Sequence, residues 1–149
     1  MSALQVSFDP VQESDFEMLA DLRVAAMRPS LERVGRFDVD RARGRLRATF
    51  SPEHSRHIVV GGRRVGLIVV KPHDDGLMLE NLYLLPGTEG AGIGTAVLTD
   101  LFKQTDAAGQ DVYVDVLLDS DANRFYLQHG FEEIGREAFD VHYVRRAKR

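Results

Sequence analysis

The chain has 149 residues, 44% hydrophobic and 28% charged, which fits one ordinary soluble globular domain, 1–149, with a core of fair size. The absence of cysteine excludes a disulfide framework and a thiolate nucleophile, and a formal charge of -4 argues against a surface that coats nucleic acid. The opening residues show no basic stretch leading into a long apolar run, and stretches such as Val65–Val70 are too short to span a bilayer. No signal peptide and no membrane partner are therefore expected, and the location read from this is cytoplasmic.

Leu4 to Phe8 alternates weakly and predicts a short first strand. Ser14 with Glu17 three residues later has the spacing of a capping box, ahead of Phe16, Leu19, Ala20, Leu22, Val24 and Ala26. Pro29 is expected to interrupt this helix, and Asp38 to cap a second one from about Val39 to Phe50, with Ala42, Leu46 and Phe50 on its buried face. The period then changes from helical to alternating. Ile58–Val60, a Gly61-Gly62 turn and Val65–Val70 predict a hairpin, and after a turn at 72–76 the stretch Leu77–Leu85 predicts another strand. A helix is expected over Gly92–Ala108, with Ile93, Val97, Leu98, Leu101 and Phe102 at helical spacing. A strand over Val112–Leu118, a short helix over Asp121–His129 and two closing strands within Phe131–Arg146 complete the chain. This order is α+β, not the regular alternation of a doubly wound fold. The basic end, Arg145-Arg146-Ala147-Lys148-Arg149, reads as a solvated tail rather than a phosphate-binding patch.

The chemistry lies where the strand at Leu77–Leu85 passes through Pro86-Gly87-Thr88-Glu89-Gly90-Ala91-Gly92-Ile93-Gly94-Thr95 into a helix. Backbone N–H groups at a helix start have no internal partners, and the helix dipole adds positive character there. Glycines let a phosphate approach closely, so the segment is an anion cradle in principle. It lacks the Gly-Lys-Ser/Thr of a nucleoside triphosphatase loop. The dinucleotide fingerprint fails as well, because counting from Gly90 its third glycine falls on Thr95.

Glu89-Gly90-Ala91-Gly92-Ile93-Gly94 resembles the acyl-CoA loop of the GCN5-related N-acetyltransferase (GNAT) superfamily, Gln/Arg-x-x-Gly-x-Gly/Ala, with Glu89 in place of the usual Gln or Arg. A second signature follows in order: after the strand over Val112–Leu118 comes Asn123-Arg124-Phe125-Tyr126-Leu127-Gln128-His129-Gly130-Phe131. The resemblance implies a single-domain, mixed and mostly antiparallel sheet flanked by helices and splayed between its fourth and fifth strands. It implies acetyl-CoA as co-substrate and transfer to a primary amine of a small molecule through a ternary complex. A homodimer is the default for such enzymes.

By the same resemblance, Leu82 and Leu84 would offer backbone groups to the pantetheine arm. The N–H groups of Glu89, Gly90, Gly92, Gly94 and Thr95 would hold the pyrophosphate, with the Thr95 hydroxyl as an extra donor. Asn123 would bind pantetheine or hold its loop. Tyr126 matches the tyrosine that protonates the departing thiolate. Glu80, a carboxylate within an apolar strand, is the candidate base, acting directly or through water, with Asp115 as a weaker substitute. Arg28, Arg33 and Arg36 fall in the region expected between the first two helices, where they would meet a carboxylate or phosphate of the acceptor or else form a solvated face. No metal is expected. Asp119–Asn123 starts like a calcium loop but has Arg124 where glycine is needed, and His54 and His57, three apart as on one helical face, lack a third ligand. The rival to catalysis is a non-catalytic acyl-CoA-binding or sensing module on the same fold.

Overall fold

The computed structural model describes residues 4–88 and 90–148. In chain order the elements are β1 (Ser7–Pro10), α1 (Phe16–Arg33), α2 (Val39–Thr49), β2 (Ser55–Val60), β3 (Arg63–His73), β4 (Gly76–Leu84), α3 (Ile93–Ala107), β5 (Val112–Leu117), α4 (Ala122–Gln128), β6 (Glu132–Arg136) and β7 (Asp140–Arg145). The strands hydrogen-bond in the order β1-β2-β3-β4-β5-β7-β6. β1 with β2, β2 with β3, β5 with β7 and β6 with β7 are antiparallel, whereas β4 with β5 is parallel. The α+β class and the mixed, mostly antiparallel sheet are as expected, and the parallel pair falls where the splay was placed. Compact packing divides the chain into one unit that runs up to Val69 and includes Asn81–Ile93, and another of Val70–Glu80 with Gly94 onward.

In the first unit, Leu19, Ala20 and Leu22 of α1 and Leu46 of α2 form one buried cluster with Val11, Leu67, Val69 and Tyr83. The start of α1 differs from expectation. A 3-10 turn over Glu13–Asp15 leads into the helix, and the Asp15 carboxylate, not Glu17, accepts the backbone N–H of Gln12 at 2.9 Å. Asp15 is fixed there from the sheet side as well, because its other contact is Nε2 of the fully buried His57 at 3.0 Å. The Gln12 amide first, and His57 second, hold the Asp15 carboxyl below the usual carboxylate range. Glu17 instead reaches Arg43 on α2.

Pro29 does not break α1. The stop comes at Gly35, whose φ of 71° lets the N–H groups of Gly35 and Arg36 return to the carbonyls of Glu32 and Leu31 at 3.0 and 2.8 Å. A proline removes one donor from the ladder, and a complete C-terminal cap downstream keeps the helix running past it. Arg28 and Arg33 consequently lie on α1, and the connection to α2 is shorter than expected. Asp38 caps α2 through the backbone N–H of Arg41 at 2.9 Å, as predicted. β2 and β3 extend beyond the predicted hairpin, taking in Ser55 at one end and Pro72 at the other. His54 ends a 3-10 turn while His57 is on a strand, so the two do not share a helical face.

In the second unit, Val97, Leu98 and Leu101 of α3 are buried, as are Val112, Val114 and Val116 of β5, Phe131, and Val141, Tyr143 and Val144 of β7. At the basic end, Arg145 is not part of a solvated tail. Arg145 is 5% exposed, forms two hydrogen bonds to Asp106 at 2.8 and 3.1 Å, and lies over the Phe102 ring at 3.7 Å. Arg146 pairs with Asp111 at 3.3 Å, while Arg149 lies outside the described residues. The Arg145 guanidinium, helped by the Lys148 backbone N–H, holds the Asp106 carboxyl at about 2. A carboxylate depressed in the folded state contributes stability above its unfolded value, near 3.8, and loses it as pH falls through the folded one. Asp106→Asn is therefore expected to lower the thermal midpoint at neutral pH. The gap from wild type should close as pH falls from about 4 towards 2. A gap unchanged across that range in thermal melts would count against this linkage.

Candidate active site

The second half of β4 belongs to the first unit. Along it Asn81 and Tyr83 are buried, while Leu82 and Leu84 are half-buried on the alternate face. Beyond the strand, Leu85 N–H returns to Val65 O at 2.8 Å. The chain then turns, with the Thr88 N–H and hydroxyl both donating to Leu85 O, at 3.3 and 2.7 Å. Glu89 lies outside the described residues. Gly90 and Gly92 have φ of 81° and 78°, values that side chains disfavour, and a Cβ at either would meet nothing within 4 Å. The glycines thus serve a backbone shape with open space above it, which is what a closely approaching phosphate needs. The first turn of α3 has no acidic residue to oppose an anion.

Gly94 serves a different purpose. A Cβ there would lie 2.9 Å from the Phe125 ring, so this glycine lets α3 and α4 touch within the second unit. The Phe125 ring also packs, tilted, at 4.5 Å from that of His129, whose Nδ1 is 2.7 Å from the Phe125 carbonyl and whose Nε2 is 2.9 Å from the Thr95 hydroxyl. With Nδ1 donating to that carbonyl, a neutral ring accepts the Thr95 proton at Nε2. The hydroxyl read as an extra phosphate donor is then directed at His129, and Thr95 keeps its backbone N–H at the helix start. The sequence alone gives His129 no role. The signal that could have placed it is its i,i+4 relation to Phe125 beside a glycine that must pack on that ring.

The Asn123 side chain is held by protein groups. Its Nδ2 donates to Leu117 O and Ser120 O at 3.0 and 2.9 Å, and its Oδ1 accepts from the Tyr143 hydroxyl at 2.7 Å. Three residues on, Tyr126 is 6% exposed, with the rings of Phe125 and Phe131 both 5.2 Å away. Glu80, in the second unit's part of β4, is about three-quarters buried and holds Lys71 Nζ at 3.1 Å through Oε1. Asp115 is exposed on β5 and holds Nδ1 of its cross-strand neighbour His142 at 2.6 Å. That bond raises the His142 pKa above the usual histidine value, against burial. On α1, Arg28 pairs with Glu32 at 3.3 Å and lies 4.9 Å over the Phe37 ring. Among the described residues no group of three His, Cys, Asp or Glu side chains is placed to hold a metal ion. No helix among them is long and apolar enough to cross a membrane.

The profile of the acetyltransferase (GNAT) domain family matches residues 53–133, more than half of the chain and including both signatures. The chain belongs to the GNAT family. No curated protein sequence matches it. Among solved structures, this GNAT chain is similar to the PaiA N-acetyltransferase of Thermoplasma acidophilum in complex with coenzyme A, at 16% identity over 96% of this chain and 99% of that one, with a TM-score of 0.77. A GCN5-related N-acetyltransferase of Rhodopseudomonas palustris aligns over 98% and 97% of the two chains at 17% identity and a TM-score of 0.76. The ribosomal-protein-S18-alanine N-acetyltransferase of Escherichia coli aligns over 97% and 96% at 14% identity and 0.70. At such identities the likeness is one of fold.

Proposed function

We propose that this GNAT domain, taken as one domain over 1–149, is an N-acetyltransferase that uses acetyl-CoA to acetylate a primary amine of a small molecule by direct transfer, in the cytoplasm and as a homodimer. The observation that carries this reading is the start of α3: two positive-φ glycines with open space above them, followed by a helix turn free of acidic side chains. A pyrophosphate fits such a backbone. Acetyl-CoA, when bound, supplies an activated acetyl group and a thiol leaving group.

The chain's own residues then have separable tasks. In the first unit, the backbone of Leu82 and Leu84 pairs with the pantetheine arm, and the N–H groups of Gly90 and Gly92 face the pyrophosphate. In the second, Gly94 and Thr95 offer their own N–H groups at the start of α3, and Asn123 holds the turn before α4. Tyr126 carries on its phenolic oxygen the proton that a departing sulfur requires. Glu80 keeps Oε1 on Lys71, and its Oε2 is the acceptor for the ammonium proton, directly or through water. Arg28, Arg33 and Arg36 draw an anionic acceptor towards the end of α1.

Release of free thiol from acetyl-CoA on adding a panel of primary amines tests the reading. Because the chain has no cysteine, a thiol reagent reads coenzyme A without background from the protein. Amine-dependent release is expected. Acetyl-CoA binding without release for any amine would leave the non-catalytic binding or sensing module. No binding by calorimetry up to about 1 mM, where even a site worth ~4 kcal/mol registers, would overturn the reading altogether.

A further inference from the structure

Arg23 of α1 carries a charge into the first unit without an anion to meet it. It is 9% exposed, and its described partners are neutral: the Tyr83 hydroxyl, to which Nη1 donates, and the Tyr83 ring, 5.5 Å from the guanidinium carbon. Tyr83 passes its own proton to Asn81 Oδ1 at 2.7 Å, and both Tyr83 and Asn81 are likewise 9% exposed. Nε of Arg23 is fully buried with no hydrogen-bond partner, and it is the only such side-chain atom among the described residues. No carboxylate among those residues pairs with this arginine. The other well-buried arginine, Arg145, shows what a satisfied one looks like here, with both carboxylate oxygens of Asp106 on its fork.

An arginine with a buried, unused donor and no counter-charge is costly to keep, since neither a phenol nor a ring replaces the water or the anion it has lost. Buried polar groups are seldom left without a partner, so this idle N–H calls for an explanation, and an anionic ligand beside the guanidinium is one. An anion that reaches this guanidinium supplies the missing counter-charge, and the planar fork of an arginine suits a carboxylate. Its position follows from the strand. Asn81 and Tyr83 alternate with Leu82 and Leu84, the residues assigned to the pantetheine arm, so the anion would be held beside the same stretch of β4.

We propose that Arg23, oriented by Tyr83 and Asn81, binds a carboxylate of the acceptor, so that the substrates are amines that also carry a carboxylate, amino acids among them. The inference rests on the acetyltransferase reading and deepens it. The exposed arginines near the end of α1 attract such an acceptor, and Arg23 seats it.

The test compares matched pairs of amines that differ only in the carboxylate: L-phenylalanine with phenethylamine, L-leucine with isoamylamine, L-lysine with cadaverine. Wild type is expected to favour the carboxylate member of its best pair by at least about tenfold in kcat/KM, because a site built to hydrogen-bond a group rejects the analogue lacking it. Arg23→Gln should erase that preference by raising KM while leaving kcat and the acetyl-CoA Kd within about threefold. Arg23→Met reads the cost of the waiting charge. Tyr83 keeps Asn81 as its partner, so the thermal midpoint should equal or exceed that of wild type. A structural strut would instead lose stability, and that result overturns the proposal. So would equal turnover of both members of every pair, a preference that survives Arg23→Gln, or weakened acetyl-CoA binding in that variant, which would assign the arginine to an anion of the coenzyme. If no amine is turned over, the acetyltransferase reading fails, and calorimetry with the same pairs in the presence of coenzyme A still decides. Binding of a carboxylate member that Arg23→Gln abolishes supports the site, and no binding of any member overturns it.

Discussion

Replacing Gly92 with glutamate is expected to abolish measurable acetyl-CoA binding in a protein that remains folded. The site is sterically open, since a Cβ at Gly92 meets nothing within 4 Å, so the larger side chain does not disrupt packing. Two separate effects act on the ligand. The backbone φ of 78° suits glycine, and any other residue there strains the turn by about 1–2 kcal/mol. The new carboxylate also stands at the start of α3, where the pyrophosphate is proposed to lie. Two like charges about 4 Å apart near a protein surface repel by ~4 kcal/mol, which corresponds to a loss of about a thousandfold. Gly92→Ala separates the two, because it carries the strain without the charge and should cost only about tenfold. Calorimetry of acetyl-CoA with both variants, beside their thermal midpoints, makes the comparison. Wild-type affinity in the glutamate variant would show that the glycine turn holds no phosphate.

The second large effect is expected for Tyr126→Phe. The side chain is 6% exposed and packs between the rings of Phe125 and Phe131. Phenylalanine preserves that packing and removes only the oxygen, so the acetyl-CoA Kd should stay near wild type. If the phenol supplies the proton to sulfur, kcat should fall by about 10² to 10⁴, the range of a general acid's contribution. KM for the acceptor should move little, the pattern of a group that acts in the transition state alone. An unchanged kcat would leave Tyr126 as a packing residue of α4 and remove it from the chemistry.

These two expectations come from short stretches whose meaning the sequence carries locally. The positions of Gly90 and Gly92 between a strand and a helix were legible because the signal and its consequence lie within a few residues. Asp38 was legible for the same reason: a cap bonds three residues along its own chain. Gly94 was legible as a motif position but not in its physical role, which depends on the ring of Phe125 pressing against it. Asn123 was read with two roles, and its partners Leu117, Ser120 and Tyr143 were not legible in the sequence. Where one local rule competed with another, as at Pro29, the sequence pointed to a break. The Gly35 cap six residues later ends the helix instead.

Periodicity, capping residues, the glycine spacing and the two ordered signatures together determined the element order, the α+β class and the GNAT family. Each is a property of neighbours along the chain. The tertiary structure alone decided which charged groups meet, because those partners stand far apart in sequence: Asp15 with His57 across 42 residues, Arg145 with Asp106 across 39, Arg23 with Tyr83 across 60. Asp15 thereby displaced the expected capping box, and Arg145, expected in a solvated tail, is buried against Asp106. Arg23 became a cation without an anion. An arginine's letter says that it is charged, whereas its burial and its partners depend on which distant segments fold against it, and those decide whether the charge is spent on the fold or kept for a ligand.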